Sequence, residues 1–235
     1  MKLINIKNNK LNIINYLILI LFLTTSFFTI KYLFFNKKNK HNNAIIARNN
    51  QLIYAKPLLY LYPKKEAKIT VTFADPKKLK VTYPVYKDKW KVTAKANGDL
   101  EDKDRNYYYA LYWEEEGKAN IDFTKGYYVT KDEARTFLED KLKYIGLNDK
   151  ERNEFIIYWL PVLEENDKSV IYFELTEERE KFNKIEINPK PDSLLRVAMH
   201  VKRVEKKPNN LEKQKLSHFH RKGFSAIEWG GVVHN

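Results

Sequence analysis

Residues 11–30, LNIINYLILILFLTTSFFTI, run for twenty positions without a charged side chain. A helix rises about 1.5 Å per residue, so this run spans about 30 Å, the thickness of a bilayer's hydrocarbon core. Leu17 to Leu23 is unbroken apolar sequence. It has no polar face to show water, which argues against a buried helix of an ordinary globular core. A cleaved export signal needs small residues at its cut site. Thr24 and Ser26 have that spacing, but Phe27, Phe28, Ile30 and the stretch Tyr32 to Phe35 carry the apolar character past it. The length therefore favours a permanent transmembrane helix within residues 1–35. Membrane lipid is the expected partner of residues 11–35, with the Lys31 ammonium reaching to the head groups and Tyr32–Phe35 at the interface.

The flanking charges decide orientation only weakly. Lys2, Lys7 and Lys10 precede the run, and Lys31, Lys37, Lys38, Lys40 and Arg48 follow it. The short basic tail favours an N-terminus inside and a domain outside the cytoplasm. The alternative is a cytoplasm-facing domain on the same helix. The net charge of +13 invites a nucleic-acid reading. Its distribution does not support one. Residues 1–55 hold eight basic and no acidic side chains, so the rest carries 35 bases against 30 acids, only +5. The excess sits where anionic lipid head groups are expected. With no cysteine, disulfides, thiolate chemistry and a lipoprotein anchor are excluded.

Residues 36–55 are polar and Asn-rich and read as a linker. One domain is expected over residues 56–231. Its first half reads as strands at Leu58–Tyr62, Ile69–Phe73, Leu79–Tyr83, Trp90–Ala94 and Tyr107–Trp113, with Asn97-Gly98 as a hairpin turn. Two capping boxes follow, Thr130 with Glu133 and Asn148 with Glu151. Ala134, Phe137, Leu138, Leu142 and Ile145 recur at helical spacing, closed by Gly146. The second helix is expected to be short, because Phe155–Leu160 is rich in β-branched and aromatic residues and Pro161 ends it; Ile156–Leu160 itself reads as helix or strand, with strand favoured. Strands return at Val170–Leu175, at Leu195–Lys202 and at Phe224–Trp229, the last ended by Gly230-Gly231. The expected class is α+β, an antiparallel β-rich domain with a central helical pair behind one N-terminal transmembrane helix.

Several segments occur together: KPLLYLYP at Lys56, TYPVYKDKWKVTA at Thr82, YALYWE at Tyr109, NEFIIYWLP at Asn153, PDSLLRV at Pro191 and RKGFSAIEWGG at Arg221. In this set, spanning residues 56–231, the chain resembles a bacterial protein family of unknown function, often carrying an N-terminal export or anchor segment. The resemblance implies one domain unit and an envelope location. It implies no activity, cofactor or catalytic residue. Where that family usually has a Gly-Trp pair, Lys89 precedes Trp90 here.

No phosphate loop, dinucleotide turn, H-E-x-x-H or G-x-S-x-G is present. Three weaker patterns remain. Trp113-Glu114 and Glu228-Trp229 end two strands, and Trp159 precedes Pro161. Glu114 and Glu228 are the candidate acid and base of a glycan hydrolase, which needs them about 5–10 Å apart. Trp113, Trp159 and Trp229 are candidate sugar platforms; core packing is the competing reading. His218 and His220 share one face if extended, a weak metal pattern needing a third ligand such as Glu228 or His200. Arg196, His200 and Lys202 on one strand face, with Asp192 before it and Arg221 as a further cation, form a candidate anion-binding strip. A solvated strand face is the bland alternative. The expectation from these patterns is an envelope-facing domain that binds a cell-envelope polymer or membrane protein, without cofactor or nucleic acid, and is not an enzyme. The rivals are a two-carboxylate glycan hydrolase and a structural subunit of a membrane complex.

Overall fold

The computed structural model describes residues 52–117 and 120–234. The expected anchor and most of the linker lie outside the described residues. Among the described residues, no helix is long and apolar enough to cross a membrane.

The domain is organised about β1 (Leu52–Tyr62). Leu58 and Tyr60 point to one face and Leu59 and Leu61 to the other, and all four are buried. The unbroken LLYLY is thus the signature of a strand covered on both sides. β1 lies between β13 (Ser225–His234) and β7 (Leu111–Gly117). The sheet extends past β13 through β11 (Ser193–Arg203), β9 (Lys168–Leu175), β8 (Lys125–Thr130) and the short β12 (Glu212–Lys213). β3 (Leu79–Tyr83) forms its other edge. The antiparallel pairing expected of the domain has two exceptions: β11 runs parallel to β13, and β12 parallel to β8. The connection over residues 204–224 is long enough to return the chain to the starting end of β11, which a hairpin cannot do.

One face of this sheet carries α1 (Ala134–Ile145) and α2 (Asp149–Glu164). Both capping boxes form, and Gly146 closes α1 at φ +118°. Ile156–Leu160, open in sequence between helix and strand, is helix, and α2 runs past Pro161 where a short helix is expected. Phe155, Trp159 and Leu163 recur at four-residue intervals and are all buried against the sheet. That packing outweighs local β preference and the missing N–H of Pro161, an interior proline costing about 3 kcal/mol.

The opposite face is shared. A second sheet, β10 (Ile185–Asn188), β2 (Ala67–Phe73), β4 (Trp90–Ala94), β5 (Leu100–Glu101) and β6 (Tyr107–Tyr108), buries Ile69, Val71, Trp90 and Val92 in one cluster with Leu59, Leu61, Leu111 and Trp113. α3 (Thr176–Phe182) supplies Arg179 and Phe182 to residues on the rest of that face. The strand expected at Tyr107–Trp113 is therefore two strands in two sheets, with the chain crossing between them at Tyr109-Ala110. β13 runs through Gly230-Gly231 and does not stop there. A Cβ on Gly231 would lie 2.5 Å from Trp159 and 2.6 Å from the Met199 carbonyl, so this glycine lets helix and sheet approach.

Candidate functional site

Two constellations stand out, one sealed and one open. The sealed one follows from strand register. Arg196 pairs with Glu228, Ala198 with Glu174, and Tyr54 with Glu115, which sets these side chains on the α3 face. Arg179 enters from α3, donating to Glu115 and, at 3.1 Å, to Glu228. Arg196 Nε donates to the other oxygen of Glu228, and its Nη1 reaches Glu180 and the Asn183 carbonyl, both at 2.6 Å. Tyr54 donates to Glu174 at 2.9 Å. His200 Nε2 lies 3.0 Å from the same carboxylate, and its Nδ1 lies 2.8 Å from His234 Nε2.

Arg179, Arg196, Glu115, Glu228 and His200 are buried. Burial opposes ionisation of Glu228, but Arg196 and Arg179 outweigh it and hold the carboxyl below its usual range. Burial of Arg179 is likewise outweighed, by Glu228 and Glu115, so its guanidinium stays charged. Burial keeps His200 neutral by lowering its pKa. Burial, with His200 and Lys202 nearby, lowers His234 to about 4. A carboxylate clamped in this way has no proton to give. The cluster holds α3 to the sheet.

The open constellation is a cleft of about 660 Å³ where β1, β3, β6, β7 and α2 meet, within the size range of small-ligand sites. The β1 register slips between Ala55 and Leu58 against β13 and between Tyr54 and Leu58 against β7, and Lys56 there adopts φ +53°. A non-glycine residue in that region costs about 1 kcal/mol or more. The bulge turns Lys56 into the cleft, with Nζ 5.2 Å from the Tyr158 ring. Tyr83, Tyr107 and Tyr109 line it at 62%, 67% and 46% exposure. Tyr112 and Tyr158 form its half-buried wall. Tyr112 donates to Glu114 at 2.9 Å, and burial followed by Glu114 raises its pKa, so the phenol stays protonated.

A larger recess of about 800 Å³, lined by residues including Lys125, Glu178, Lys213 and His218, mixes charges of both signs. Of its lining residues only the apolar Leu195 is buried, and every polar one is exposed or half-exposed.

The residues singled out from sequence are distributed differently from their expected grouping. Trp113 is buried on the second-sheet side, and Trp159 and Trp229 on the helix side, so none offers a platform. Leu111 and Glu228 both face Leu59 across β1, and alternation along β7 puts Glu114 on the other face. Glu114 and Glu228 therefore cannot flank one glycosidic bond. Arg196 and His200 are buried in the sealed cluster and form no surface strip with Lys202. Arg221 pairs with Glu151 and donates to the Gly146 carbonyl at 3.2 Å, tying the final strand's approach to the helical pair. The His218 and His220 rings lie 4.6 Å apart. Among the described residues, no three His, Cys, Asp or Glu converge to hold a metal ion. Sequence reasoning missed Lys56, Tyr83, Tyr107, Tyr109, Tyr112 and Tyr158. The available signal was four tyrosines within the six residues Tyr107–Tyr112, more rings than a short strand covers.

Comparisons of the chain with protein-family models, curated proteins and solved structures gave no match.

Proposed function

We propose that this chain is a single-pass, membrane-anchored protein whose extracytoplasmic domain binds an envelope component in the tyrosine cleft. The observation that carries this reading is the wall of exposed tyrosines beside a strained Lys56. Outlying backbone of this kind concentrates at functional sites. Rigid two-torsion rings lose little entropy when a ligand covers them. The uncharged run at residues 11–30 supports the placement.

Binding without catalysis is favoured by the fate of the candidate acids. Glu228 is sealed and ion-paired, and Glu114 faces the cleft without it. The test is retention of a soluble cell-wall polymer fraction by the immobilised full-length chain. Replacing Tyr107 and Tyr109 together by alanine removes two exposed contacts of about 1 kcal/mol each, and retention should fall about thirtyfold. Unchanged retention would place the binding elsewhere.

A further inference from the structure

We infer that the cleft takes an uncharged stretch of glycan, an assignment that rests on the binding role proposed above. The charges touching its tyrosines balance. Lys56, Lys95 and Lys150 lie over the rings of Tyr158, Tyr107 and Tyr109 at 5.2, 5.7 and 5.1 Å. Against them, Asp102 and Glu114 accept from the hydroxyls of Tyr108 and Tyr112 at 3.0 and 2.9 Å, and Glu154, held by the buried Tyr60 behind the cleft, acts on Tyr109. Three cations against three carboxylates leave no electrostatic funnel. Single-stranded nucleic acid needs a positive groove alongside its stacking rings. A phosphate-bearing polymer needs a cationic surface as well, and Arg196 and His200 of the candidate anion-binding strip are buried.

What remains is a ligand with apolar faces and hydrogen-bonding edges but no net charge. A hexopyranose with equatorial substituents has that form. Its axial C–H groups carry slight positive charge and meet the negative face of an aromatic ring. Its ring of hydroxyls meets donors and acceptors set at fixed positions. Tyr83, Tyr107 and Tyr109 supply the faces. Glu114, already oriented by Tyr112, has an oxygen left to accept from a sugar hydroxyl, and Lys56 is a donor on the same cleft. These side chains are thus in place before any ligand arrives, which lowers the cost of binding.

Nitration of exposed tyrosines in the full-length chain, read residue by residue by mass spectrometry, tests this. Chitotetraose and cellotetraose are the uncharged probes; tetragalacturonate and a dT octamer are the charged ones. An uncharged probe at four times its Kd should slow nitration of Tyr83, Tyr107 and Tyr109 about fivefold. Tyr144, exposed but away from the cleft, should react as before. Tyr109→Phe should still protect Tyr83 and Tyr107, whereas Tyr109→Ala should not. Equal protection by tetragalacturonate or the octamer would overturn the uncharged assignment. Protection by the wall fraction but by neither uncharged tetramer would overturn the assignment and leave the binding role standing. Protection by none of them would overturn both.

Discussion

Glu228 shows how little a residue's type says about its role until its neighbours are known. It lies between two arginines in the sealed cluster, and removing one partner of a buried ion pair costs about 3–5 kcal/mol. Glu228→Gln should therefore lower the melting temperature of the domain by about 10 °C, at roughly 2–4 °C per kcal/mol for this size. Thermal denaturation followed by circular dichroism measures it, and Glu114→Gln, in the open cleft, should change little. The two histidines of the same cluster predict a pH dependence. Both have folded pKa values depressed below the ordinary 6.5, His234 to about 4. Between about pH 6.5 and pH 4 the unfolded chain binds more protons than the folded one, so stability rises with pH and is lost on acidification through that window. Glu174 and Glu228, held below their usual range, add a further loss as pH falls below about 4.5. His234→Gln should flatten the slope of melting temperature between pH 6.5 and 4. An unchanged slope would show that His234 does not carry it.

At the level of elements, much of the domain is legible in local sequence. Trp90, Val92 and Ala94 alternate, and the strand is found at those residues. The capping boxes and Gly146 mark α1 and the start of α2 because each is written within four residues. Ile156–Leu160 is ambiguous in sequence because what makes it helical is its partner. Trp159 packs over Gly231, some seventy residues further along the chain. Arg196 and His200 were misread as solvated for the same reason. Their partners, Glu228, Glu180, Glu174 and His234, come from two other strands and a helix. The tyrosine cleft needed five elements to converge, and only the density of Tyr107–Tyr112 announced it. The contact between α2 and β13 can be tested directly. Gly231→Ala drives a methyl into the Trp159 ring and the Met199 carbonyl, which should cost about 1–3 kcal/mol as overpacking. Trp159→Ala should cost about 3–5 kcal/mol by leaving a cavity, so it reports folding and not binding. Urea denaturation distinguishes these losses from the small effect expected at exposed Tyr109.

On the scale of the whole molecule, an eight-stranded sheet separates two functions of burial. Its α3 face locks charges away, and where the helix face meets the rim of the second sheet, tyrosines are left open. The proposed account places ligand on the open constellation alone. The most direct measurement is a carbon-13 NMR titration of the full-length chain, labelled on tyrosine and tryptophan rings, with the soluble wall polymer fraction. Ring signals of Tyr83, Tyr107, Tyr109 and Tyr158 should shift together while the Trp113, Trp159 and Trp229 indoles stay fixed. Shifts confined to the tryptophans or to the His218–His220 region, with the cleft tyrosines silent, would contradict it.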